Sequence, residues 1–266
     1  MSAFTDITDW PADNVAGALL KDGSVADTVG ETDKQFPIAS VTKPVVAYAI
    51  MLAVEEGAVE LDQDAGPEGS TLRHLLAHAS GVAFDDRKPQ KPVEDRRIYS
   101  SAGYEWAAEI VEEATGMDFP DYLKEGVLEP LGMKDTYLDG SAGHGLVSSV
   151  DDLVRFAAEV LDPQLLHPSS VKGMRSVQFE GLRGIVPGYG NFKECSWGLG
   201  FEIHGDKEHW MGAKLPAEAI GHFGLSGTYL WIADGNAMVA LTDHDFGDWA
   251  KPLWGEANDA IWDELN

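Results

Sequence analysis

The run Tyr229-Leu230-Trp231-Ile232-Ala233-Asp234-Gly235-Asn236-Ala237-Met238-Val239-Ala240-Leu241 sets two apolar arms around an Asp-Gly pair. Asp-Gly tolerates the positive φ angles that a two-residue hairpin turn demands, so the run predicts a β-hairpin. The same device stands near the other end, where Val15 to Leu20 and Ser24 to Val29 flank Lys21-Asp22-Gly23. Two hairpins at opposite ends of the chain predict one antiparallel sheet built from both termini. Trp249 to Leu265 reads as a helix that covers this sheet.

The middle of the chain reads as helical. Pro44 to Glu56 has no internal breaker and stops at Gly57. Thr71 to Ala79 is a short helix with Ser70 or Thr71 as cap and Gly81 as stop. Ala102 to Thr115 ends at Gly116, and Ser149 to Val160 opens with a serine and two aspartates that suit the helix dipole. Strands, then helices, then strands predict an α+β fold in which a helical part is inserted into a sheet. The expected organisation is a single catalytic unit over 1–266, with a sheet part at 1–60 and 177–266 and a helical part at 61–176.

Composition narrows the function. Hydrophobic residues make up 44% of the chain, enough to fill a sizeable core and to exclude general disorder. Acidic residues number 45 against 19 basic ones, a formal charge of −26. That field repels phosphate backbones and anionic lipid, so neither nucleic acid nor a membrane surface is an expected partner. Cys195 is the single cysteine, which excludes an intrachain disulfide. The opening MSAFTDITDW lacks the basic and apolar regions of a secretory signal, and a cytoplasmic location is the expectation.

Phe36-Pro37-Ile38-Ala39-Ser40-Val41-Thr42-Lys43-Pro44 places a serine at the head of an apolar helix, with a lysine three residues on. Three residues turn a helix by about 300°, so the two side chains share one face. A serine hydroxyl is a poor nucleophile until a base takes its proton, and a lysine serves as that base only where burial lowers its pKa. A serine at a helix start also gains a free backbone N–H as half of an oxyanion hole. Taken alone, Ser-x-x-Lys is a weak signal that fits a cap and a surface lysine better than a catalytic pair.

The other chemistry-bearing residues have simpler readings. His74 and His78 share a helix face, but no acidic partner stands between them as in a zinc motif, and no metal or cofactor is expected. Asp85 to Pro92 is polar and proline-bearing, a connector or a substrate lid. Gly181 to Gly190 lacks the lysine of a phosphate loop and reads as a cleft-side loop. Trp197, Trp210, Trp231, Trp254 and Trp262 read as core.

Seven stretches taken in order resemble the penicillin-recognising serine hydrolases. They are Phe36 to Lys43, Leu72 to Gly81, Tyr99 to Tyr104, Pro130 to Met133, Gly145 to Leu153, Trp197 to Gly200 and Gly221 to Gly224. The likeness is to the branch of class C β-lactamases, esterases and D-alanyl-D-alanine carboxypeptidases, and it covers nearly the whole chain. It implies a β-lactamase/transpeptidase-like fold, with the helical lobe reduced because only 17 residues separate Gly81 from Tyr99.

The resemblance also implies roles. Ser40 is the acylated nucleophile, Lys43 shares its proton, and Tyr99 acts as acid and base. The Ser40 and Leu225 N–H groups form the oxyanion hole, while Ser101, His222, Phe223 and Gly224 contact substrate. Two positions depart from the family pattern: Ser101 replaces an asparagine, and His222 replaces the lysine of the β-lactamase version. A neutral histidine holds a carboxylate less firmly than lysine, which favours small esters or amides over β-lactams. The partner expected is a small acyl compound. A β-lactamase or D-amino-acid peptidase is the alternative enzyme, and an inactive small-ligand binder of the same fold is the alternative outside catalysis.

Overall fold

Both Asp-Gly pairs form tight turns in the computed structural model, which describes residues 2–266. Asp22 and Gly23 take φ of 51° and 72°, and Asp234 and Gly235 take 45° and 79°. Positive φ at both central residues is the mirror-image turn whose twist matches that of paired strands. The strands of the main sheet are β1 (Val15–Lys21), β2 (Ser24–Val29), β3 (Glu202–Ile203), β4 (Ile220–Gly224), β5 (Thr228–Ala233) and β6 (Asn236–Thr242). They form one sheet in the order β2-β1-β6-β5-β4-β3, antiparallel at every step. β1 lies against β6 with Gly17 opposite Ala240, so the chain ends meet at the centre of the sheet.

Strand alternation then assigns two cores. Leu230, Ile232, Val239 and Leu241 lie in one core with residues of α1 (Thr42–Glu55), α2 (Leu72–Leu76), α3 (Ser101–Thr115) and α4 (Val150–Leu161), of which α4 packs on the sheet. Tyr229, Trp231, Met238 and Ala240 point the other way, toward Phe4, Ile7 and Trp10 and toward Trp254 and Ile261 of α5 (Ala250–Leu265). Every residue of β5 and β6 is buried, because helices cover both faces there.

The helices follow the expected positions with shifted ends. α1 begins at Thr42, with Pro44 inside its first turn, where a missing N–H costs nothing. α2 is shorter than the expected 71–79 because His78 adopts φ 56° and breaks the ladder. Ser100 caps α3 by accepting from Gly103 N–H, Gly116 ends it at φ 70°, and Ser149 caps α4 by accepting from Asp152 N–H. Gly181 to Gly190 lies beside the cleft as expected, with Val186 and Pro187 lining it, but it is more ordered than a loop. It holds a small hairpin in which Gly184–Val186 pairs with Gly190–Phe192.

One buried amide joins α5 to the sheet. Asn258 Oδ1 accepts from Tyr229 Oη and from Trp231 Nε1, both at 2.9 Å, and its Nδ2 donates to the Trp210 carbonyl at 2.9 Å. Replacing it by leucine keeps the volume but strands two donors, each costing about 1–3 kcal/mol when buried without a partner. Asn258→Leu is expected to lower unfolding stability by about 2–5 kcal/mol in urea titration, with the slope unchanged.

Candidate active site

Ser40 stands in a single 3-10 turn, Ala39–Val41, directly ahead of α1. Ala39 takes φ 44°, a left-handed conformation that a non-glycine residue holds only where its surroundings enforce it. The enforcement comes from the end of β4. A Cβ at Gly224 would lie 2.3 Å from the Ile38 carbonyl oxygen, and Thr228 Oγ1 donates to that same oxygen at 3.1 Å. Gly224 therefore makes room for the nucleophile's own turn.

Lys43, one helical turn on, is fully buried. Its Nζ donates to the Gly143 carbonyl at 2.7 Å and to Ser101 Oγ at 3.1 Å, and lies 3.3 Å from Ser40 Oγ. It also rests 4.5 Å from the centroid of the Tyr99 ring. Burial holds the ammonium down to about 7, against an opposing pull from Glu105. Ser101 thus reaches the lysine despite being shorter than asparagine, and the Gly143 segment lies directly on it. A Cβ at Gly143 would sit 2.7 Å from Ser101 Cβ. Gly143 was not foreseen, since a backbone carbonyl leaves no mark on a sequence.

Tyr99 is placed from behind by His78. The His78 carbonyl accepts from Ile98 N–H at 3.0 Å, and its Nδ1 accepts from Ser100 N–H at 3.1 Å. The His78 ring also packs 4.6 Å from that of Tyr99. This histidine is accordingly a backbone clamp, and His74 spends its ring nitrogens on Thr71 and Glu94. Burial raises the Tyr99 phenol pKa well above the usual tyrosine range, an effect the neighbouring Ser40 hydroxyl opposes.

His222, on β4, is buried with Nδ1 2.8 Å from the Phe223 carbonyl and Nε2 3.4 Å from Tyr99 Oη. A carbonyl only accepts, so Nδ1 carries the ring proton and Nε2 presents a lone pair to which Tyr99 donates. Burial, reinforced by Lys43, holds the imidazolium down to about 3. At neutral pH His222 is a neutral acceptor for the Tyr99 hydroxyl at the cleft wall.

Ser40, Tyr99 and His222 line a cleft of about 290 Å³ together with Phe84, Val186, Pro187, Trp197, Glu202, Phe223 and Leu225, while Lys43 and Ser101 lie behind its wall. The Leu225 carbonyl accepts from Phe246 N–H at 2.8 Å, while the Leu225 N–H finds no acceptor among the described residues. Of Phe84 to Pro92, only Phe84 reaches the cleft. The following turn is fastened outward by Arg87, which pairs with Glu109 and rests 5.1 Å from the Trp106 ring. That places Asp85 to Pro92 as a connector rather than a lid. Trp197 is core as expected and also forms a wall.

Glu202 was missed altogether, although an acidic residue inside Trp197-Gly198-Leu199-Gly200-Phe201-Glu202-Ile203 was a signal that could have found it. Burial pushes its carboxyl pKa up, but His209, Lys207 and the Trp210 indole outweigh that and hold it at about 2. Trp210 Nε1 donates to Oε2 at 2.8 Å, and Lys207 Nζ lies 3.5 Å from Oε1. Among the described residues no group of three or more His, Cys, Asp or Glu side chains is arranged to hold a metal ion, and no helix is long and apolar enough to cross a membrane.

A serine and a desolvated lysine under an apolar cleft match a known family. The family model described as Beta-lactamase matches residues 15–247. A crystal structure of a β-lactamase from Mycobacterium bovis is 44% identical, with a TM-score of 0.97 over 99% of both chains. Penicillin-binding protein 4* of Bacillus subtilis is 28% identical over 139 residues, 40% of this chain and 31% of that protein. Lovastatin esterase of Penicillium rubens is 24% identical over 215 residues, 61% of this chain and 52% of that protein. The chain thus spans about a third to a half of the length of these two curated relatives. With serine, lysine and tyrosine gathered as its motifs implied, the chain belongs to the Beta-lactamase family of serine hydrolases and has the β-lactamase/transpeptidase-like fold.

Proposed function

We propose that the protein hydrolyses small acyl esters or amides through an acyl-enzyme at Ser40. The observation that carries this reading is Lys43 Nζ, fully buried, poised near pH 7 and 3.3 Å from Ser40 Oγ. In its neutral form the amine takes the Ser40 proton as Oγ attacks the acyl carbon. The oxygen that becomes negative is met by backbone N–H groups of Ser40 and Leu225, the latter free of other acceptors among the described residues. The Lys43 ammonium then returns its proton to the leaving alcohol or amine, and water releases the acyl group by the reverse exchange. Tyr99 stays protonated, because burial raises its pKa and His222 accepts its proton without being basic enough to remove it.

Esters are preferred to carboxylate-bearing lactams or peptides because His222 stands as a neutral acceptor where a cation would hold a carboxylate. The likeness to an esterase supports this preference, while the β-lactamase and penicillin-binding relatives support the alternative of lactam or D-amino-acid amide hydrolysis. An inactive binder is the weaker reading, since serine, lysine and tyrosine stand together with the lysine near neutrality.

Intact-protein mass after a fluorophosphonate should show one adduct that Ser40→Ala abolishes, with p-nitrophenyl butyrate turned over faster than a chromogenic cephalosporin. Faster cephalosporin turnover would select the lactamase reading, and neither adduct nor turnover would select the binder.

Lys43 is productive only when deprotonated. For the free enzyme, kcat/KM should rise about tenfold per pH unit up to pH about 7 and level off above it, with no alkaline fall near pH 10. Acceptors favour the charged form of an amine, so Ser101→Ala should move that acid limb to lower pH and reduce kcat by roughly tenfold, as loss of one hydrogen bond to a charged group does.

A further inference from the structure

The titratable side chains at the cleft wall are already partnered within the protein. Glu202 is 1% exposed, with Trp210 Nε1 donating to Oε2 at 2.8 Å and with His209 Nε2 and Lys207 Nζ 3.1 and 3.5 Å from Oε1. The His222 lone pair takes the Tyr99 hydroxyl, and the Lys43 amine lies behind the wall over the Tyr99 ring. Most of what remains around Ser40 is carbon, from Phe84, Val186, Pro187, Trp197, Phe223 and Leu225. A charged group seated there would lose its water and gain no partner, whereas an apolar one gains by leaving water.

Apolar lining extends into water as well. Phe84 and Leu225 both line the cleft and stay 48% and 54% exposed. Phe84 is held there by its backbone. Its carbonyl accepts from Ser101 N–H at 2.8 Å and from Ala102 N–H at 3.1 Å at the start of α3, and the Ala83 carbonyl accepts from Ser100 Oγ at 2.5 Å. The Phe84 ring stands 6.0 Å from that of Tyr99 and is nearly parallel to it. The chain thus fixes a ring half in water beside the cleft, leaving apolar area for a ligand to cover. Size follows from the volume. A dry cavity of about 150 Å³ holds a benzene ring, so one of about 290 Å³ takes roughly twice as many atoms, an ester group with about six to eight acyl carbons.

We propose that the cleft holds an uncharged, apolar acyl group of about six to eight carbons, with Phe84 as the residue that sets the preference for its length. This deepens the esterase reading and rests on it. The acyl group is the part that remains on Ser40 through both half-reactions, while the alcohol leaves and water replaces it. Walls standing against Ser40 therefore serve the acyl chain in each. The reaction is unchanged: the bond from Ser40 Oγ to the acyl carbon forms, the ester C–O bond breaks, and the Ser40 proton passes by way of Lys43 to the leaving alkoxide. Water then takes the acyl group as the carboxylic acid, and Ser40 regains its proton.

Chain length and charge can be varied separately on the unaltered protein. From p-nitrophenyl acetate through butyrate to hexanoate, kcat/KM taken relative to hydrolysis by hydroxide should rise roughly three- to fourfold per methylene. p-Nitrophenyl 6-methylheptanoate should exceed mono-p-nitrophenyl adipate, which puts a carboxylate in place of the isopropyl end, by at least about tenfold. p-Nitrophenyl 5,5-dimethylhexanoate should exceed p-nitrophenyl 4-(trimethylammonio)butanoate, its cationic isostere, by a similar factor. Ethyl hexanoate should be hydrolysed faster than its isomer hexyl acetate, whose apolar chain lies on the alcohol. In Phe84→Ala the hexanoate-to-acetate ratio should fall by about threefold or more, chiefly through the hexanoate KM, with Phe84→Leu in between. A role in folding alone would not move that ratio, and both variants keep the carbonyl that receives the first N–H groups of α3.

A series flat or falling from acetate to hexanoate, a charged ester equal to or faster than its neutral isostere, hexyl acetate ahead of ethyl hexanoate, or an unaltered ratio in both Phe84 variants would each overturn the proposal and leave the esterase reading standing. Absence of turnover for every ester on the native protein, together with absence of the fluorophosphonate adduct, would instead remove the hydrolase reading, and the proposal with it.

Discussion

The burial of Lys43 is the constraint from which the rest of the site follows. An amine taken fully out of water at the start of α1 must find partners or lose its charge. It does some of each. Gly143, Ser101 and Ser40 supply oxygens within 3.3 Å, so α1, α3 and the segment ahead of Leu146 converge on one nitrogen. Even so, the fall from 10.5 to about 7 corresponds to roughly 5 kcal/mol against the ammonium. The fold carries that cost below about pH 7 and sheds it as the pH rises toward 10.5, since only the unfolded chain binds the proton across that window. A base poised near neutrality is what the expense secures.

The second demand is that the nucleophile's turn be held against the sheet. Ala39 keeps an unfavourable φ of 44° because Gly224 lets β4 approach to contact and Thr228 bonds the Ile38 carbonyl. β4 in turn depends on β5, which sits beside β6, which sits beside β1. The turn is rigid because the chain ends have paired. His222 leaves the same strand in a fixed tautomer, so one strand supplies both the support for Ser40 and the acceptor for Tyr99.

Much of the fold was legible because its signals are local. Asp22-Gly23 and Asp234-Gly235 specify their turns through φ preference alone, and Gly116 and Ser149 mark helix ends by the groups they cap or free. The ends of α2 and the hairpin at Gly184–Phe192 were not, because His78 and the short strands take their conformations from contacts distant in sequence. Lys43 and Ser40 were visible as a pair through helical spacing. Gly143 was invisible, because it acts by a carbonyl that every residue possesses.

The sequence by itself determined the antiparallel sheet from both ends, the helical insertion and the serine-lysine-tyrosine set, since these rest on turn chemistry, periodicity and motif order. Only the tertiary structure decided how acidic a group Lys43 is, which nitrogen of His222 faces the cleft, and that Gly224 serves the protein's own backbone. It also decided that Glu202 is buried behind the cleft wall among Trp210, His209 and Lys207. The reason is that protonation, tautomer and polarity depend on the distance to water and to neighbouring charges. Those distances exist only once segments as far apart as residues 43, 143 and 222 have been packed together.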